Sequence, residues 1–194
     1  GRGQGNNNGI LVAGTTGNDE GTIKIANDDI SWTEYDADTS SVIGNLQSNA
    51  MLRDYSAWSH LVFRWDSTDS TAGDRMQIFH NGTRVTSFSA TTNPSVNYDA
   101  CINSSVVHNV GRQSWNGSGD FNGYMAEMFF IDGTSLNADS FGEFDSASPT
   151  IWKPKDCKDD FTFGNNGFYL EFKQSGTGTN SSGIGADTSG NDNH

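Results

Sequence analysis

Apolar and polar positions alternate along several short runs of this chain. Ile23 and Ile25, then Ile30 and Trp32, flank the polar stretch Asn27-Asp28-Asp29. A period of two on both sides of a turn former predicts two paired strands. The runs ILVAG (10–14) and VIGNLQ (42–47) predict two more, the second after the loop DADTSS (36–41). In AWSHLVFRW (57–65), Leu61, Phe63 and Trp65 point one way and His60, Val62 and Arg64 the other. DRMQIFHNGTRVTSF (74–88) reads as a hairpin turning at Asn81-Gly82. A two-residue Asn-Gly connection favours a type I′ turn, because both residues there need positive φ. His80 then faces Thr83, Ile78 faces Val85 and Met76 faces Ser87. This register puts Ile78 and Val85 on the core side and Phe79 with Phe88 on the other. Further strands are expected twice within 100–112, at 123–132, and at 167–173 with Phe168, Leu170 and Phe172 on one side. Residues 137–144 hold the single helical turn expected, capped by Asn137, with Phe141 and Phe144 docked on the body.

About ten strands at spacings of roughly 8–12 residues, with hardly any helix, predict an antiparallel sandwich or barrel. No short repeat supports a propeller or β-helix. Residues 1–9 are mostly Gly and Asn and read as a flexible start. A sandwich domain is expected over 10–150. Residues 151–194 form a C-terminal extension in which 151–156 leave the body, and the strand 167–173 precedes a turn-rich tail. Both ends look cut from something longer.

Charge and composition narrow the chemistry. The chain has 194 residues, a formal net charge of −13 and only 33% hydrophobic residues. An acidic surface repels phosphate backbones and anionic lipids, so nucleic acid and membrane are excluded as expected partners. It does not exclude Ca²⁺, which takes carboxylate and carbonyl oxygens. Two cysteines, Cys101 and Cys157, are too few for a disulfide framework, and free thiols are expected.

Three blocks in order suggest a family: WSHLVFRWD (58–66), DRMQIFHNGTRV (74–85) and NVGRQSWNGSGDFNGYMAEMFFIDG (109–133). The set Trp58, His60, Asn81, Gly82, Gly111, Arg112, Phe121, Gly123 and Glu127 resembles the laminin-G-like group of the concanavalin A-like lectins, over about residues 10–145. The resemblance implies an all-β, antiparallel jelly-roll sandwich. The later pieces at 130–133, 141–143, 152–155, 164–172 and 185–193 are similar to domains in virion proteins of marine bacteriophages. That likeness implies a non-enzymatic virion protein on the particle surface or tail. Its module would adhere to host-surface glycan in a tail fibre or appendage. The alternatives are a purely structural decoration or joining domain and, less favoured, a laminarinase-type glycoside hydrolase. Partners would be other virion subunits and host glycan. A homo-oligomer is expected, a trimer if the protein is a fibre.

Recognition is expected in SWNGSGD (114–120). Sugars stack on aromatic faces, accept hydrogen bonds from amides and guanidinium groups, and donate hydroxyl hydrogens to carboxylates and amides. The candidate ligand residues are therefore Arg112, Trp115, Asn116 and Asp120, although Trp115 could equally fold back to cover the end of the sandwich. EYDAD (34–38) spaces Glu34, Asp36 and Asp38 alternately, as a glycosidase strand would. These residues run into a loop, however, and are read as a solvated turn, with Asp36 and Asp38 weak Ca²⁺ candidates. His60 and His80 are read as sheet residues. Glu127 is expected to pair with Arg112 or another arginine. No catalytic residue is expected.

Overall fold

The computed structural model of this chain describes residues 7–16, 19–36, 38–113, 119–178 and 181–193. Antiparallel strands dominate them, as the alternation predicts. Six strands form one sheet: β1 (Asn8–Thr16), β2 (Asp19–Ala26), β3 (Asp29–Tyr35), β4 (Val42–Met51), β8 (Phe88–Thr92) and β9 (His108–Val110). Their spatial order is β8-β4-β3-β2-β1-β9. A second sheet, β5 (Leu61–Trp65), β6 (Met76–His80) and β7 (Thr83–Arg84), lies against it. Two smaller pairs complete the molecule: β10 (Met128–Phe130) with β13 (Phe168–Leu170), and β11 (Gly142–Phe144) with β12 (Trp152–Pro154). Single 3-10 turns at 72–74, 138–140 and 158–160 are the helical structure among the described residues.

The core follows from register. Leu11, Ile23, Trp32 and Leu46 stand side by side on four neighbouring strands. All four are buried, together with Ile30, Met76, Ile78 and Ile102. Leu61, Phe63, Trp65 and Val85 pack against this cluster from the second sheet. Trp32 meets Phe63 edge-on and tilts against Trp65, with centroids 5.8 Å apart in both pairs. The two sheets thus share one apolar layer, which is a sandwich.

The Asn81-Gly82 turn forms as expected, with φ +47° and +77°. His80 pairs with Thr83, and Val85 N–H donates to Ile78 O at 2.8 Å. A side chain at residue 82 would collide with the indole of Trp152. The hairpin ends there, however. Ser87 O accepts from Asn49 N–H and Phe88 pairs with Ser48, so the chain crosses into the first sheet and Phe88 packs on the core.

Other local readings are corrected by context. β1 begins at Asn8, so the start read as flexible over 1–9 already carries ladder bonds at Asn8 and Gly9. Residues 57–60 precede β5, and one strand, β9, stands where 100–112 suggested two. Of 123–132, only 128–130 pair. Asn137 makes no side-chain cap. Residues 151–156 do not leave the body: Trp152 and Lys153 pair with Phe144 and Glu143. Phe172 has φ +55°, which ends the alternation after Leu170. β13 is held by a stack of Tyr169 on Phe129, with centroids 4.2 Å apart, and Asp187 accepts from Tyr169 N–H at 2.9 Å. No disulfide joins Cys101 and Cys157.

Candidate functional site

The acidic strand comes first, because the glycosidase alternative depends on it. Glu34 lies on the same face of β3 as Trp32, two residues further along. Its strand neighbours are Gly21 on β2 and Gly44 on β4. Those glycines leave room for a long side chain inside the sheet: a Cβ on Gly21 would come within 2.5 Å of Glu34 Oε2. Glu34 is 0% exposed. Trp32 Nε1–H donates to Oε1 (2.8 Å) and Cys101 N–H to Oε2 (3.0 Å), with a further bond from the Ile102 backbone. Burial pushes its pKa up to about 7, against these hydrogen bonds, and the nearby charge of Glu20 adds to the rise. Glu34 therefore ties the 101–102 segment to the sheet and faces no solvent.

Asp36 and Asp38 lie outside this enclosure. Asp36 Oδ1 accepts from the N–H groups of Asp38 (2.9 Å) and Thr39 (2.8 Å), and its other oxygen accepts from the Tyr98 hydroxyl. These bonds hold the Asp36 carboxyl below its ordinary range, the Tyr98 bond most of all. The pair closes a turn, and no group of three or more metal-type side chains gathers among the described residues.

The predicted ligand residues are brought together in part. Arg112 Nε and Asp120 Oδ1 are 3.7 Å apart at the surface. Trp115 and Asn116 lie outside the described residues. Glu127 does not pair with Arg112: it is exposed, has φ +52°, and accepts from the Tyr169 hydroxyl, in keeping with the short reach across the β10–β13 pair. Of the two histidines read as sheet residues, His80 ends β6 while His60 stands just before β5, and burial lowers the pKa of both. His60 packs on Trp152 (5.7 Å between centroids), while His80 Nε2 is 3.3 Å from Ser59 Oγ.

A larger feature includes Phe121 and Asn122. A cleft of about 1400 Å³ opens between the first sheet, the β5 edge and residues 121–136. Leu61, Phe63, Trp65 and Met128 floor it. Its walls also carry Tyr55, Trp58 and Tyr124, which are 45%, 68% and 82% exposed. Large aromatic surface of this extent in water is the informative kind of exposure. Tyr55 is positioned by its hydroxyl, which donates to Asp28 Oδ1 at 2.9 Å. Its segment is fastened to the β2–β3 turn by Leu52 N–H donating to Asp28 O at 2.8 Å. Asp54, beside it, accepts from Ser56 N–H and Oγ–H.

No family model, curated protein or solved structure matches the chain. The arrangement sets aromatic faces and polar groups around an apolar floor, with the Glu34 carboxylate sealed away from it. Trp58 was part of the Trp-x-His pattern, but nothing local marks Tyr55, Tyr124, Asp28 or Asp54. Their convergence depends on where 52–58 and 121–127 lie relative to β5.

Proposed function

We propose that this chain is a non-catalytic, lectin-like module that binds glycan in the cleft between the β5 edge and residues 121–136, and that it serves adhesion on a virion surface. The observation that supports it is the exposure of Trp58, Tyr55 and Tyr124 along one cleft of about 1400 Å³. Sugar rings present C–H faces to aromatic rings and hydroxyl groups to carboxylates and amides. A cleft of this size has room for a short oligosaccharide. The virion setting and the tail-fibre or appendage role rest on the sequence resemblance. Arg112 and Asp120 extend the surface toward the expected loop, since Phe121 and Asn122 also line the cleft.

Hydrolysis is not proposed, because a retaining or inverting mechanism needs two carboxyl groups flanking the scissile bond. In EYDAD one acid is enclosed and the others close a turn. A single shallow site gives weak affinity, around millimolar or about 4 kcal/mol. Adhesion then calls for several copies, in keeping with a homo-oligomer. The test is retention of the protein on host cells or envelope polysaccharide. Trp58→Ala is expected to lose several-fold in retention with an unchanged melting curve, and neither protein should release reducing ends. Equal retention of both proteins would move the module to the purely structural role.

A further inference from the structure

The geometry points to a positively charged sugar, an amine-bearing glycan such as a glucosamine oligomer, as the ligand class of this cleft. The inference rests on the glycan-binding reading above and specifies its chemistry. Six carboxylates line the cleft against two cations, Arg64 and Lys155. Arg64 is already committed, with Nη2 3.1 Å from Asp66 Oδ2. At the mouth, Asp28 and Asp54 form no ion pair among the described residues, and the adjacent Arg53 turns instead to Met51 Sδ at 2.8 Å. His60, the one histidine on the wall, has its pKa lowered by burial and adds no cation at neutral pH.

Two independent features of the mouth favour a cation. The carboxylates of Asp28, half-buried, and Asp54, exposed, attract one directly, and a cleft lined with a surplus of one sign of charge focuses that field. The faces of Trp58 and Tyr55 attract it through the ring quadrupole. The contact between Tyr55 and Asp28 places an aromatic ring and a carboxylate side by side. An ammonium on a pyranose ring satisfies both together: the ring's C–H face stacks while its amine meets the carboxylate. The same field opposes uronate and sulfated glycans, which would bring their own negative charge into a cleft with a surplus of carboxylates.

The experiment compares four immobilised probes at about pH 6, where a glucosamine amine is protonated and ordinary carboxyl groups are ionised. The probes are a glucosamine oligomer, its fully N-acetylated counterpart, an alginate oligomer and oligolysine. The glucosamine oligomer should bind about tenfold or more tightly than the N-acetylated one, and alginate should not be retained; tenfold corresponds to one modest charge contact. Raising the salt should remove most of that advantage. Asp28→Asn with Asp54→Asn should abolish the preference for the amine form, so that the two oligomers bind alike. Trp58→Ala should weaken both oligomers alike. Equal affinity for the amine and N-acetyl forms, or tighter binding of alginate, would overturn the cationic specificity and leave glycan binding standing. Retention on oligolysine with no oligosaccharide bound would overturn both and make the cleft a site for a basic peptide.

Discussion

Strand β3 and residues 121–127, which lead into β10, both carry aromatic residues and a glutamate and have opposite fates. β3 is hydrogen-bonded on one side to β2 and on the other to β4. Its Trp32 and Glu34 are sealed into the core. Residues 121–127 join no sheet before Met128, and their Tyr124 stands in solvent. Each segment ends near a glutamate. Glu34 is wholly enclosed between Gly21 and Gly44, whereas Glu127 is exposed at φ +52°. Alternation makes a strand only when neighbouring backbones supply partners for its N–H and C=O groups. A side chain's fate then depends on what those partners carry. The sealed region gives the module its stability, and the unpaired one leaves the cleft open.

The contrast can be broken most forcefully at Glu34. Glu34→Ala removes a buried side chain and orphans the three donors that meet it. It should cost about 3–5 kcal/mol in denaturant unfolding. The corresponding Glu127→Ala should cost well under 1 kcal/mol, since surface changes rarely exceed that. A small effect at Glu34 would mean that the enclosure is not a structural element.

The pH dependence sharpens the same point. Burial raises the Glu34 carboxyl to about 7 in the folded state, against an ordinary value of 4.5. A raised carboxyl pKa means that the protonated form favours folding. Its stabilisation is therefore complete below about pH 4.5 and lost as pH rises through about 7. The full swing is on the order of 3 kcal/mol. Thermal melts of the wild type should thus fall across this window, and Glu34→Gln should flatten that fall. An unaltered slope in the variant would assign the titration to other groups.

Next in size is Gly21→Ala, whose new methyl group meets Glu34 Oε2 and Ile102 Cγ1. Overpacking of this kind costs about 1–3 kcal/mol. The double variant with Glu34→Ala should be less destabilised than the sum of the two, because the carboxylate that blocks the methyl is gone. Strict additivity would separate the two residues. The smallest effect is expected at Tyr124→Ser, with a stability change within about 0.5 kcal/mol. A cooperative loss there would show that 121–127 is part of the sealed sandwich.

Local pattern made much of the fold legible. Ile23, Ile25, Ile30 and Trp32 announced β2 and β3, and Asn81-Gly82 announced a turn that needs two positive φ angles. Such signals depend on a few neighbouring residues. What stayed hidden depends on distant ones. Phe88 looks like the end of a hairpin and instead joins β4, because Asn49 and Ser48 offer it partners. The burial of Glu34 requires glycines at matching registers on two other strands. The proposed site is hidden for the same reason: Asp28, Tyr55 and Tyr124 come from three separate segments, and of the loop singled out at 113–121, Phe121 lines the cleft while 114–118 lie outside the described residues.

The cleft itself can be tested through its tryptophans. Five indole N–H groups report separately in a ¹⁵N-correlated NMR spectrum, one for each tryptophan. Titration with a glucosamine oligomer to millimolar concentration should move the Trp58 indole resonance progressively. The Trp32 indole, which donates to Glu34 inside the core, should remain in place. Saturable movement of Trp58 without Trp32 is the predicted result. A Trp58 resonance that stays fixed while the oligomer binds, or a spectrum unchanged throughout, would contradict the aromatic cleft as the site of recognition.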